Sequence, residues 1–196
     1  MSAALHEEHL MPSQLRAKLA VFMQDIHCFS EILGIDLTPF QADHIALRIN
    51  EHHLAELAHQ AWKEEGQVVS QAMINGRPII IILLDKPLEF QSWCIDCVEL
   101  PYPAQGKHYP LQSWEHVEFV IPSEAATVEQ YWAELQQRFP SLQETSRFAK
   151  NGIQIKLSSP KGDSERLSNP TVAFKWQNIT IKLHPYSLQT IIASEY

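Results

Sequence analysis

The sequence predicts an α+β fold of two βαβββ modules forming a shared curved-sheet cleft, preceded by an N-terminal helical extension. Three observations predict it. Two alternating runs open on an acid–histidine pair, "ADHIALRI" with Asp43-His44 and "WEHVEFVI" with Glu115-His116. Asn-Gly falls between strand-like runs twice, at Asn75-Gly76 and Asn151-Gly152. Each half closes on Pro-Tyr, at Pro101-Tyr102 and Pro185-Tyr186. The spacing between corresponding landmarks grows slowly along the chain, as loop insertions in a duplicated unit would make it grow.

The elements follow in order. Residues Met11 to Leu33 carry Leu15, Leu19, Phe22, Met23, Ile26, Phe29 and Leu33 at helical spacing. Pro12-Ser13 starts that helix and Gly34 ends it. "ADHIALRI" is a strand. Glu51 to Glu65 is a helix with Leu54, Leu57, Ala58, Ala61 and Trp62 as its apolar stripe. "QVVSQAMI", Asn75-Gly76 and "RPIIIILL" form a hairpin. A strand runs from about Phe90 to Leu100, and "PYPAQGKHYP" is a linker. In the second half, "EHVEFVI" is a strand and Glu124 to Arg138 a helix, with Ser123 as its cap. "LQETSRFAK", Asn151-Gly152 and "IQIKLSS" read as a second hairpin. "VAFKWQNITIKL" is a long strand, or a strand with its own turn. The predicted organisation is an extension over 1–38 and modules over 39–103 and 104–196, sharing one core.

Composition narrows the function. Apolar residues make up 45 % of the 196, enough for such a core. The net charge of −8 argues against broad nucleic-acid or anionic-membrane binding, which need dense Lys/Arg patches. The longest apolar run, Ile79 to Leu84, is too short to span a bilayer, and the N-terminus lacks an apolar signal core. A soluble cytoplasmic protein is expected, monomeric or homodimeric. Cys94 and Cys97 lie three apart on a strand and so face opposite ways; ordinary buried thiols are expected, not a metal site.

Strand alternation assigns the faces. His44, Ala46 and Arg48 share one face, and Ile45, Leu47 and Ile49 the other. His116 and Glu118 share a face, opposite Val117, Phe119 and Ile121. Thr180, Lys182 and His184 lie opposite Ile179, Ile181 and Leu183, and Lys156 lies with Gln154 and Ser158. The apolar faces suit helices. The polar faces are costly to bury and call for a wet cleft. Arg48 suits an anionic substrate group, with Lys156 and Lys182 as cleft cations. His6, His9, His27, His52, His53, His59 and His108 fall in helices or loops and are expected to be solvated. Trp114 and Trp176 are expected to pack.

Paired βαβββ modules with a first-strand histidine in each resemble the vicinal oxygen chelate superfamily. More closely, "DHIALR", "MINGRPI", "VELPYP", "WEHVE", "SSPKG", "ERLSNPT" and "TIKLHPYS" resemble the YecM family, over about residues 40 to 196. The resemblance implies one divalent metal ion between the modules, held by first and last strands. Carried over, the ligands are His44, His116, His184 and Glu99. Zinc, iron(II), manganese and nickel all suit that set. Aligning the Pro-Tyr pairs puts His184 opposite Leu100, not Glu99. Either a bulge turns Glu99 inward, or Glu118 supplies the carboxylate. Glu99 is the preferred ligand and Glu118 the acid–base group. The implied function is metal-assisted isomerase, lyase or dioxygenase chemistry on a small oxygen-bearing molecule. The alternative is a non-catalytic module that binds or sequesters one.

Overall fold

The computed structural model describes residues 2–159 and 167–194. The chain opens with α1 (Ser2–Glu7) and α2 (Pro12–Leu33). The first module is β1 (Gln41–Arg48), α3 (His52–Lys63), β2 (Gly66–Ile74), β3 (Arg77–Phe90) and β4 (Trp93–Pro101). The second is β5 (Ser113–Val120), α4 (Val128–Arg138), α5 (Thr145–Lys150), β6 (Gln154–Ser158), β7 (Thr171–Trp176) and β8 (Ile179–His184). The helix α6 (Leu188–Ala193) follows. Among the described residues no helix is long and apolar enough to cross a membrane.

The modules do not form two separate sheets. They join edge to edge in one eight-stranded sheet of order β2-β3-β4-β1-β5-β8-β7-β6. The join is the antiparallel pair β1–β5, with β4 parallel to β1 on one side and β8 parallel to β5 on the other. Ile45, Leu47, Val98, Val117, Phe119, Ile181 and Leu183 face the helices and meet Leu15, Met23, Ile26, Phe29 and Leu33 of α2 in one core. Burying each such side chain contributes about 1.5–3 kcal/mol, so the apolar faces fix which way every strand lies. Trp114 belongs to this core and donates its indole N–H to the Leu15 carbonyl at 2.8 Å. Half-buried Trp176 packs against the Phe29 ring at 5.6 Å.

Helix α2 begins at Pro12 and ends at Gly34 with φ 73°, as the sequence indicates. The Asn75-Gly76 turn joins β2 and β3 with both residues at positive φ. The second Asn-Gly does not make a hairpin. "TSRFAK" is α5, anchored by buried Phe148, and the Asn151 and Gly152 N–H groups close its C-terminus. Asn-Gly supplies left-handed backbone equally to a hairpin turn and to a helix end, and the helix formers before it decide between them. The corresponding turns of the two modules are instead Gln91-Ser92 and Gln177-Asn178, where Gln91 has φ 52° and Gln177 φ 54°. That second turn divides "VAFKWQNITIKL" into β7 and β8.

Three further expectations need correction. Helix α4 starts at Val128, capped by the Thr127 hydroxyl, while Ser123 accepts the Ala125 N–H in the preceding loop. Cys28 and Cys94 are exposed and only Cys97 is buried; on β4 the flanking Trp93 and Ile95 take the core side, which turns Cys94 away from it. His59 is half-buried, with Nδ1 3.2 Å from the Tyr102 hydroxyl. Helix α6, absent from the sequence reading, packs Leu188 and Ile192 on Ile79, Ile81 and Cys97 on the cleft side of the sheet.

Gly66 begins β2 where a Cβ would lie 2.1 Å from the Leu83 carbonyl oxygen and 2.8 Å from the Leu84 Cα. The nearest atoms are all β3 backbone, which cannot swing aside as a flexible side chain could. Gly66→Ala should lower unfolding stability by about 2–3 kcal/mol in urea denaturation. Gly76→Ala, in open space at φ 76°, should cost only about 1 kcal/mol. The reverse order would contradict this account of the β2–β3 pairing.

Candidate metal centre

The register of four central strands builds the site. Across β1–β5, His44 pairs with Glu118 and Ala46 with His116. Across β1–β4, Ala46 pairs with Glu99; across β5–β8, Glu118 pairs with Lys182. Paired residues share a face. His44, Glu99, His116, Glu118 and Lys182 therefore meet on the cleft side with no bulge at Glu99. The ladders also identify the true counterparts. Cys97 stands beside His44 as Thr180 stands beside His116, so Lys182 is the counterpart of Glu99. The Pro-Tyr pairs are not structurally equivalent, and the register conflict they raise disappears.

The bulges lie elsewhere, and they explain the repeated acid–histidine pair. The β1–β5 register slips between Ala42 and His44, leaving Asp43 unpaired on β1. It slips again between Ala46 and Leu47, leaving Glu115 unpaired on β5. Each slip lets the acid follow its histidine onto the cleft face. Asp43 Oδ2 lies 3.0 Å from His44 Nδ1, and Glu115 Oε2 accepts from His116 Nδ1. An acceptor on Nδ1 fixes the ring and leaves Nε2 free to bind inward. Asp43 also accepts the Leu188 N–H at 2.9 Å, and Glu115 is gripped by Arg48 at 3.0 Å. The sequence reading gave these two acids no role; their repetition before each histidine was the available signal.

The inward atoms cluster tightly. His44 Nε2 is 3.5 Å from Glu99 and 3.3 Å from Glu118; His116 Nε2 is 3.7 Å from Glu99 and 3.1 Å from Glu118. Donor atoms from the four residues all lie within 4.8 Å of one another. With bonds of about 2.0–2.1 Å, a tetrahedral ion would separate its donors by about 3.3–3.4 Å. The imidazole–carboxylate separations bracket that value. His44 Nε2 is also buried without a hydrogen-bond partner, although those two carboxylates flank it. The donor set and its spacing fit a divalent ion.

The remaining predicted residues are placed as follows. His184 is buried one pleat beyond Lys182, with Nε2 3.6 Å from Asp43 and 4.0 Å from Glu118. It groups with Asp43 and His44 rather than with the four-donor cluster. Its Nδ1 lies 3.0 Å from the Asn169 side-chain amide. Lys182 Nζ is 2.6 Å from Glu118 Oε1 and 3.0 Å from His116 Nε2. Arg48 lies over the Tyr109 ring at 4.0 Å and lines a cavity of about 260 Å³ with Tyr109, Leu111, Lys175 and Asn178. Lys156 shares the cleft face but is exposed on the edge strand, two strands beyond Lys182 and apart from the cluster.

The cluster is electrostatically interlocked. Burial alone would raise the Glu99 carboxyl, but His44, Lys182 and His116 outweigh it and hold it at about 2. Burial likewise opposes ionisation of Glu118, and Lys182 and His44 keep it well below the usual carboxylate range. Burial opposes the charge on Lys182, yet Glu118, Glu99 and Glu115 raise it above its ordinary value. His44 is pulled down by burial and lifted well above its ordinary value by Glu118 and Asp43. His184 is lowered, chiefly by burial.

Two modules whose first strands pair edge to edge in one sheet, with imidazoles and carboxylates gathered on its cleft face, make up the fold and its centre. The chain belongs to the YecM family, whose model matches residues 11–195. It is 40 % identical over 173 residues to Protein YecM of Escherichia coli strain K12, covering 87 % of this chain and 88 % of that one. An uncharacterized protein of Haemophilus influenzae is 34 % identical over 181 residues, covering 89 % and 90 %. A solved structure described as Structural Genomics, Protein EC4020, superposes with a TM-score of 0.77 at 35 % identity, covering 94 % and 92 %. The family blocks "SSPKG" and "ERLSNPT" fall partly outside the described residues.

The depressed Glu99 carboxyl sets a stability trend for the metal-free protein. A group held at about 2 against an ordinary 4.5 stabilises the fold above pH 4.5 and loses that contribution as pH falls toward 2. His44, raised above 6.5, stabilises below pH 6.5 and loses its contribution as pH rises through its folded value. His184, lowered chiefly by burial, stabilises above pH 6.5 and loses its contribution as pH falls, so it opposes His44 around neutrality. Below about pH 4.5 the Glu99 carboxyl sets the slope: in the presence of a chelator Glu99→Gln should flatten the acid limb of stability between about pH 4.5 and 2. An acid limb equally steep in the variant and the natural protein would contradict the trend.

Proposed function

We propose that this chain holds one divalent ion through His44 Nε2, His116 Nε2, Glu99 and Glu118, and acts with it on a small oxygen-bearing molecule. The observation that carries the reading is the convergence of those four donors from β1, β4 and β5 within 4.8 Å. Asp43 and Glu115 orient the two imidazoles. His184 backs Asp43 and stands outside the donor set. When bound, the ion polarises a pair of adjacent oxygens and stabilises the charge that develops on them.

The chain's own residues divide the remaining work. Of the two carboxylates, Glu118 is the one already paired with a cation, Lys182, at 2.6 Å. It is the donor most readily released and the group placed to take or return a proton. Metal-assisted proton transfer, the chemistry of an isomerase or lyase, fits this arrangement best, and zinc, manganese and nickel suit the mixed nitrogen and oxygen donors. Arg48 and Lys175 line the adjoining cavity and suit an anionic group of the substrate. A binding module without turnover is the second reading; four protein donors that saturate the ion would favour it.

Elemental analysis of protein purified without an affinity tag should find one divalent ion per chain. His44→Ala or His116→Ala should abolish uptake while circular dichroism and cooperative unfolding persist. Glu99→Gln should weaken metal affinity by about 10–100-fold or more, and Glu118→Gln should weaken it less. Unchanged metal content in the double histidine variant would reject the assignment.

A further inference from the structure

The two modules are not electrostatically equivalent. In the first, the first strand carries Ala46 and the last strand Glu99. In the second, the corresponding positions are Glu118 and Lys182. The carboxylate has moved from the last strand to the first, and an ammonium occupies the position it left. The side chain of Glu118 is only 10 % exposed and that of His116 only 4 %. Lys182 Nζ lies 2.6 Å from Glu118 Oε1 and 3.0 Å from His116 Nε2. The approach of the Lys182 ammonium to His116 Nε2 at 3.0 Å suits the neutral ring with its proton on Nδ1, toward Glu115, and its Nε2 lone pair toward Lys182. Lys182 thus engages the same lone pair and the same carboxylate that a divalent ion would use.

We propose that Lys182 is a cation built into the centre: it holds Glu118 and His116 in the metal-free protein, and on metal binding it is displaced to grip a carboxylate of a small ligand that chelates the ion. The proposal rests on the metal-binding reading above. An ion that takes the His116 lone pair removes the acceptor of one Lys182 hydrogen bond and repels the ammonium. The Lys182 stem is anchored on β8 beside Glu118, so the freed head stays next to the centre. The ammonium is half-buried, its side chain 26 % exposed, so a ligand carboxylate arriving from the cleft can reach it and replace the partner it has lost. A ligand with two vicinal oxygens, at least one of them a carboxylate oxygen, supplies both the chelate and that anion. The substrate class is therefore a small 2-oxo or 2-hydroxy carboxylate, and oxalate, which presents two vicinal oxygens and a second carboxylate, is an unreactive mimic of it suited to the test.

The test uses the full chain, manganese(II) and oxalate, with Lys182→Met and Lys182→Gln beside the natural protein in calorimetric titrations. Both variants should bind manganese(II) at least tenfold more tightly, because the competing cation is gone. Once loaded, both should bind oxalate at least tenfold more weakly. A residue with a merely structural role would weaken both steps. Manganese affinity that is unchanged or lower in the variants, or oxalate affinity that is unchanged, overturns the proposal while leaving the metal site standing. No manganese uptake by the natural protein or by either variant overturns the metal-binding reading, and this proposal with it.

Discussion

The antiparallel pairing of β1 with β5 is the constraint on which the rest depends. It joins two modules that otherwise face solvent along their first strands. It also sets His44 opposite Glu118 and Ala46 opposite His116. A register slipped by one residue would turn the imidazoles into the helix layer and Ile45 and Val117 into the cleft. The apolar contacts with α2 forbid that slip. The same packing that stabilises the fold therefore places the donors.

The pairing carries its own local exceptions. Asp43 and Glu115 sit on bulges at opposite ends of the shared ladder, related by the pseudo-symmetry of the modules. A regular strand would send each acid away from its histidine. The bulge brings them together, and each acid is tied down from outside, Asp43 by the N-terminus of α6 and Glu115 by Arg48. The centre is costly to bury, and removal of one partner of a buried ion pair typically costs about 3–5 kcal/mol. Interlocked charges with a lysine among them let the metal-free protein carry that burden without an ion.

Much of this is legible in the sequence, for physical reasons. Period-two alternation around His44, His116 and Lys182 assigns those side chains to the cleft, because each strand has one purely apolar face. The bulges are not legible, since an unpaired residue changes register without disturbing the hydrophobic pattern nearby. Asn151-Gly152 misleads because left-handed backbone serves a helix end as well as a hairpin. The Pro-Tyr pairs mislead because the modules close at different points, so His184 has Pro101 as its counterpart and stands one pleat away from the donors. Helix α6 is too short, at six residues, to show a periodic stripe, yet its first N–H holds Asp43.

The central claim is that two acid–histidine pairs, bulged onto one face, deliver two imidazoles to one ion. X-ray absorption at the zinc edge of stoichiometrically loaded protein addresses it most directly. The account predicts a shell of nitrogen and oxygen donors at about 2.0–2.1 Å, with outer-shell scattering from two imidazoles. A sulfur shell near 2.3 Å, or scattering from fewer than two imidazoles, would contradict it.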